Sequence, residues 1–311
     1  MTLPPAFRSS GDLLADRRYD YAMAAKAEGD LVAAADLLAQ ALEIAPRWVA
    51  GWFALGDVEA ARGETAAAEA ALAKALALDP DDTLGARLRL ARLGRAEAQE
   101  AMSEAYIRTL YDDYAPRFEK ALREGLAYRA PEILRDAVIA ASATLGREPA
   151  FARMLDLGCG TGLAGPVFAP LAAAIDGVDL SPRMVDLAQQ KGVYRTLAVG
   201  DLTQFLDGEA EASADLVLAA DVLIYVADLG PVFAGAARVL PPSGLLGFTV
   251  EAHDGDGLML HASLRYAHGR DLIETGLAAA GLAIVSLERV VLRTEGGAPV
   301  AGWAVVAAKG R

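Results

Sequence analysis

Cysteine is almost absent: Cys159 is the only one in 311 residues, and histidine occurs three times. That excludes an intramolecular disulfide, and one cysteine with three scattered histidines makes no zinc pattern. Positive charge is also short. Against 42 acidic residues stand 29 lysines and arginines, a formal net charge of −13. A nucleic-acid binder needs a basic face to neutralise phosphates, and an anionic membrane surface asks the same, so both partners are disfavoured. Long apolar runs are missing too: no window reaches the roughly 18 uninterrupted apolar residues of a spanning helix. The opening MTLPPAFRSSGDLLADRR lacks the apolar core of a secretory signal. These absences predict a soluble, cytoplasmic chain with no metal site and no nucleic-acid or membrane partner.

What is plentiful is alanine, which supplies much of the 54% apolar content and favours helices without filling a core. It is arranged periodically. Gly29 recurs as Gly63, Ala34 as Ala68, Ala41 as Ala75 and Pro46 as Pro80, each pair 34 residues apart. That is the period of a helix-turn-helix repeat that buries its face only against neighbours. In the second copy Trp52, Leu55, Gly56, Ala68, Leu72, Ala75 and Pro80 sit at the spacings of the tetratricopeptide signature, which the segment resembles over about two repeats. TLGARLRLARLG, 83 to 94, reads as a capping helix. So short an array predicts either a docking surface for a peptide, a protein or a second copy, or a helical appendage.

The second half alternates short apolar runs with helical stretches, a pattern that implies a parallel sheet covered on both faces. MLDLG, AIDGVDL, TLAVGD, DLVLAAD and LLGFTVE read as strands, with helices at LAGPVFAPLAA, PRMVDLAQQKG, LGPVFAGAARVL and YAHGRDLIETGLAAAG between or after them. LAIVSLERVVLRTE and PVAGWAVVAAKG close the chain as two strands about a glycine turn, the last one antiparallel. Ligands of open parallel sheets sit at the carboxyl ends of the strands. There the sequence puts Asp156, Asp179, Asp201 and Asp221, then Glu251, with Gly158, Gly160 and Gly162 turning after the first strand. Asp179 follows Gly158 by 21 residues, a distance that also suits a nicotinamide site. The glycines, however, are spaced G-x-G-x-G and not G-x-G-x-x-G.

Taken together, DLGCGTG (156 to 162), VDLSPRM (178 to 184), VGDL (199 to 202) and AADVLIYV (219 to 226) resemble the ordered motifs of class I S-adenosylmethionine-dependent methyltransferases. With the repeats in front, the chain resembles bacterial methyltransferases that carry tetratricopeptide repeats. The resemblance covers residues 152 to 309. It implies a Rossmann-like, seven-stranded, mostly parallel sheet ordered 3-2-1-4-5-7-6 beside an all-α N-terminal domain. It also implies that Gly158, Cys159 and Gly160 lie against the methionine part of S-adenosylmethionine, with Asp156 supporting the ammonium. Asp179 would accept from the ribose hydroxyls, Leu180 and Met184 would line the adenine, and Asp201 and Leu202 would meet its amino group. Asp221 and Tyr114 complete the expected cofactor set. The bland alternative for any strand-end aspartate is a helix cap, and for Cys159 simple packing.

Tyrosines 106, 111, 114 and 128 crowd one stretch of a chain that is only 6% aromatic. The segment with Tyr111, Tyr114 and Phe118 reads as a lid, since methyl transfer gains from alignment and shielding from water. Tyr225, Glu251 and His268, with His253 beside them, are the candidates for a general base. Neither an Asn/Asp-Pro-Pro-aromatic motif nor a Pro-Cys nucleophile follows the fourth strand, which argues against base methylation. The expected boundaries are a tail at 1–17, repeats at 18–98, lid and linker at 99–151, and a catalytic domain at 152–311. The expected function is methyl transfer to a small molecule or to a protein held by the repeats. The alternatives are a nucleotide-dependent oxidoreductase and a repeat scaffold whose second domain only senses the cofactor.

Overall fold

The computed structural model describes residues 9–310, except the side chains of residues 123 and 124, and divides the chain into two compact units, Met1–Thr109 and Leu110–Arg311. The first eight residues of the expected tail, and the last residue of the chain, lie outside the described range.

The first unit is helical. Helices α1 (Leu13–Glu28) and α2 (Leu31–Ile44) form one antiparallel pair, α3 (Val49–Arg62) and α4 (Thr65–Leu78) the next, and α5 (Ala86–Arg92) follows. Asp12 sets the start of α1 five residues before the expected repeat boundary, its carboxylate accepting from the amides of Leu14 and Ala15. Gly29 and Gly63 end α1 and α3 in the left-handed region, at φ 85° and 81°. Pro46 and Pro80 stand just beyond α2 and α4 and allow no continuation. α5 is shorter than the expected cap because Asp82 captures the amides of Ala86 and Arg87, so the turn reaches as far as Gly85.

Small residues set the spacing of these pairs. A Cβ on Gly56 would lie 2.5 Å from Cγ of Leu72, a side chain with no accessible surface. Gly56→Ala is therefore expected to destabilise the first unit by about 1–3 kcal/mol through overpacking. Gly63→Ala meets no neighbouring atom and should lose only about 1 kcal/mol, to the left-handed backbone. Urea unfolding followed by helical circular dichroism ranks the two, and an unshifted midpoint for Gly56→Ala would contradict this packing.

The second unit is an α/β sandwich. Its strands are β1 (Met154–Leu157), β2 (Ile175–Asp179), β3 (Thr196–Val199), β4 (Leu216–Ala219), β5 (Leu245–Ala252), β6 (Leu258–Leu260), β7 (Tyr266–His268), β8 (Leu282–Glu295) and β9 (Ala298–Lys309). β1 to β5 pair in parallel, β9 runs antiparallel along β5, and β8 pairs with β9. The principal order is β3-β2-β1-β4-β5-β9-β8, which is the expected 3-2-1-4-5-7-6 with its last strand antiparallel. Alternation of buried residues serves two cores. Leu155, Leu157 and Val217 face α10 (Leu202–Gly208), α11 (Gly230–Val239) and α12 (Arg270–Ala279). Met154, Leu216 and Leu218 face α7 (Ala130–Thr144) and α8 (Ala164–Phe168). Helix α9 (Pro182–Gln189) follows β2, and α6 (Glu104–Gly125) precedes α7.

Two elements differ from the sequence expectation. The helix read at LAGPVFAPLAA stops at Phe168, because Pro170 disfavours helical geometry in the residue before it. The segment read as one helix from Tyr266 begins as strand β7. It pairs antiparallel with β6 and then takes two places along β5, beyond the end of β4. Tyr266 and His268 are fully buried, which the strand conformation permits by turning both to one face.

Candidate functional site

Strand β1 ends in a turn in which Gly158, Gly160 and Gly162 all have positive φ, at 63°, 54° and 80°. Only glycine adopts such a run without strain. A Cβ on Gly158 would lie 2.2 Å from Cγ2 of Val222, and one on Gly162 would meet Tyr194 and Ala188. Gly160 is different: among the described residues the one atom within 4 Å of an added Cβ is Cε1 of Phe118, at 3.9 Å. Its backbone thus borders open space roofed by an aromatic edge. The amide of Gly160 donates to Oδ2 of Asp179 at 2.9 Å, and the amide of Ser181 donates to Oδ1 at 2.9 Å. Each carboxylate oxygen keeps a lone pair for a further donor. Burial pushes the Asp179 carboxyl up, against these two amide bonds.

Asp156, one strand over, is buried and accepts from the Tyr194 hydroxyl at 2.6 Å through Oδ2. Burial pushes its carboxyl up to about 7; the Tyr194 bond works against this and the neighbouring Asp179 charge adds to it. Such a group, poised near neutrality at a strand end, is a functional candidate on physical grounds.

The α6 segment expected as a lid crosses this end of the sheet. The hydroxyls of Tyr111 and Tyr225 share a hydrogen bond of 2.6 Å. Asp112 accepts from the Ser181 hydroxyl at 2.5 Å, and its backbone carbonyl accepts from the Arg183 guanidinium at 3.1 Å. Lys191 pairs with Glu119 at 2.6 Å. Phe118 stands edge-on to both Tyr111 and Tyr114, at 5.8 and 5.5 Å between ring centres. Aromatic rings and polar ties therefore hold this helix over the glycine turn from both sides.

Beyond β4, Asp221 adopts φ 58°, unusual for a residue with a side chain. Its amide donates to the Thr249 hydroxyl at 2.8 Å, and both its oxygens accept from Arg293 at 2.8 Å. Arg293 also binds Glu251, which accepts from Arg265 at 2.7 Å; Arg265 in turn reaches Glu295. Burial pushes the Asp221 carboxyl up to about 6, with Arg293 opposing. Burial raises the Tyr225 hydroxyl to about 12.

Several residues singled out from the sequence have structural duties. Glu251, a candidate base, is buried as the shared counter-ion of two arginines. His268 has no accessible surface, its Nε2 meets the carbonyl of Val226 at 2.9 Å, and burial lowers it to about 4, so it is a neutral interior residue. His253 is tied to Gly257 and Gly255 within its own turn. Asp201 caps α10, accepting from the amides of Thr203 and Gln204, and Leu202 is the first residue of that helix. Met184, within α9, is fully buried, and Cys159 is buried in the turn. Leu180 is half-buried just past Asp179. Among the base candidates Tyr225 alone faces the lid. Arg293, Tyr194 and Asp112 were not singled out, and an arginine inside the apolar run VVLRTE was the available signal for the first.

A family model described as a methyltransferase domain matches residues 155–248, and a tetratricopeptide-repeat model matches residues 49–93. The chain carries both. An O-methyltransferase of ubiquinone biosynthesis from Xanthomonas axonopodis pv. citri is 37% identical over 106 residues, 32% of this chain and 43% of its own. Human methyltransferase-like protein 27 is 38% identical over 109 residues, 35% of this chain and 43% of its own. The chain thus matches under half the length of these relatives. Among solved structures, magnesium protoporphyrin IX methyltransferase from Synechocystis with bound S-adenosylhomocysteine superposes with a TM-score of 0.50. It is 20% identical, covering 67% of this chain and 100% of that one. The cyclase SpnF superposes at 0.52 with 18% identity, over 67% and 96% of the two chains. These likenesses show the fold, a Rossmann-like sheet, and a cyclase among them means that fold alone does not assign the chemistry.

Proposed function

We propose that this chain is an S-adenosylmethionine-dependent methyltransferase acting on a small molecule or on a protein held by its repeats. One observation carries the reading. Asp179 closes the glycine turn through the amide of Gly160 and still offers two acceptor oxygens, beside open space under Phe118. Vicinal ribose hydroxyls suit that carboxylate, and a nucleoside suits the cradle a Cβ would fill. The bound cofactor would supply a methyl group on a positively charged sulfur. The strand-end carboxylates favour such a cation, whereas a pyrophosphate would face Asp156, Asp179 and Asp221, where the arginine present, Arg293, is already bound to Asp221 and Glu251.

In this reading Gly158, Cys159 and Gly160 hold the methionine part, Asp156 takes the ammonium and Leu180 borders the adenine. Asp201 and Leu202 mark the adenine's outer limit. Tyr111, Tyr114 and Phe118 exclude water above the reacting atoms. Tyr225, bonded to Tyr111, is placed to orient an acceptor hydroxyl or amine. Calorimetric titration with S-adenosylmethionine, S-adenosylhomocysteine and NADH tests the proposal. Saturable binding of the first two and not of NADH is expected; NADH binding alone would make the chain an oxidoreductase.

Asp156 gives the binding a pH dependence. Its carboxyl, held near 7, must ionise to pair with an ammonium, so affinity should fall about tenfold for each pH unit below about 7. 5′-Methylthioadenosine, which has no ammonium, should show a much flatter profile, and parallel profiles would contradict the assignment. The stability linkage has the opposite sense. A carboxyl raised on folding contributes stability that is complete below about 4 and is lost as pH rises through about 7. The apo protein should accordingly gain more from the cofactor at pH 8 than at pH 6.

A further inference from the structure

Helix α1 turns Ala15 and Ala22, neither with any accessible surface, towards the core of its unit. Its opposite face carries Leu14, Arg17, Tyr21, Ala24 and Glu28, all exposed and set at alternating steps of three and four residues. That is the a/d spacing of a seam at which one helix meets another. Leu14 is 53% exposed and Tyr21 is 66% exposed, so the large side chains of the seam stand in water. The charges on it are also unanswered. Glu28 closes α1 at the end where the helix dipole disfavours an acid. Among the described residues neither Glu28 nor Arg17 forms an ion pair.

Two copies of this seam complement each other in one arrangement. Laid antiparallel about a two-fold axis level with Ala22 and Met23, Arg17 of each copy meets Glu28 of the other, and Tyr21 meets Ala24. Leu14 then lies level with the other copy's turn into α2, whose second residue, Val32, is 58% exposed. Large packs on small at the centre, opposite charges flank it, and Leu14 continues the seam at either end. Every contact occurs twice, as a closed two-fold interface requires. A parallel arrangement would set Arg17 against Arg17 and Glu28 against Glu28, so the charges reject the alternative. We propose that this face of α1 is an interface for a second copy of the chain, formed as an antiparallel helix pair. The inference is independent of the cofactor assignment. One helix of 16 residues, about 24 Å long, makes an interface at the low end of specific sizes, so the dimer should dissociate in the micromolar range.

Sedimentation velocity of the full chain across the micromolar range tests the interface. The wild type should pass from monomer to dimer as its concentration rises. Arg17→Glu and Glu28→Arg each set like charges against one another at two places, and each should raise the dissociation constant about tenfold or more. The double variant, Arg17→Glu with Glu28→Arg, restores both pairs in reverse and should return to within about threefold of the wild type. Both side chains are exposed and both substitutions agree with the helix dipole, so the fold is kept, and a melting curve checks this. Should one single variant fail to fold, the other decides alone. A wild type that stays monomeric throughout overturns the proposal and leaves the seam to a helix of some other protein. A dimer that neither single variant weakens also overturns it, because its interface lies on another face. So does a double variant as weak as the single ones, because the pairing then does not join Arg17 to Glu28.

Discussion

Asp179→Ala is expected to abolish measurable binding of S-adenosylmethionine while leaving the chain folded. The carboxylate does two things at once: it fixes the Gly160 amide at 2.9 Å and leaves an acceptor oxygen for each ribose hydroxyl. Hydrogen bonds to a charged group contribute about 1.5–3 kcal/mol each, so losing two lowers affinity by about two to four orders of magnitude. Loosening of the glycine turn adds to this. Stability should move little, and could rise, because Asp179 is a desolvated acid that lies close to another, Asp156. Alanine removes that repulsion and leaves two amides at the edge of a cradle where water reaches them. Calorimetry and a thermal melt, run on the same sample, separate the effects. Retained micromolar affinity in Asp179→Ala would sink the cofactor assignment, and a collapsed melt would show that the residue serves the fold first.

The same region shows what a sequence can display and what it hides. Strand cores β1, β2, β4 and β5 are four to eight consecutive buried residues, and such runs survive in the sequence as apolar blocks between glycines and acids. The glycine turn was legible for a related reason, since three left-handed positions in five residues admit little else. The β6–β7 hairpin was not. Each strand is three residues long, too short for period-two alternation to separate from a helix start. Asp201 shows another limit: an aspartate at a strand end and an aspartate capping a helix are the same letter, and here the cap is what the geometry displays. Arg293 was hidden more deeply. Its role exists only because β8 brings it beside Asp221, far away in the chain. A count of charges does hint at it. Asp221 and Glu251 end neighbouring strands, and two acids buried side by side need a cation from somewhere.

Arg293→Ala is the substitution from which we expect the greatest loss of stability. The side chain is 4% exposed, and it joins Asp221 through two bonds of 2.8 Å to Glu251. Truncation leaves the buried Glu251 and the half-buried Asp221 without their shared cation. Among the described residues Arg265, already shared between Glu251 and Glu295, is the cation that remains paired with Glu251. Breaking a buried pair from one side costs about 3–5 kcal/mol, since the remaining charge has lost both its solvent and its counter-ion. For a unit of this size that corresponds to a fall in melting temperature of about 6–20 °C. The loss must also depend on pH, in a direction the folded pKa dictates. Asp221 already stands up at about 6 with Arg293 opposing the rise, so its removal sends the carboxyl higher still. A group raised on folding contributes stability that is whole at low pH and is lost as pH climbs through its folded pKa. The gap between variant and wild type should therefore be narrow at pH 5 and widest at pH 8. Asp221→Asn added to Arg293→Ala removes one stranded charge, and it should recover part of the loss at pH 8 and little at pH 5. Melting curves of the three proteins at both pH values test the network directly. An Arg293→Ala variant as stable as the wild type at pH 8 would mean that Asp221 and Glu251 find water or another cation there, and that Arg293 does not hold the β4–β5 end of the site together.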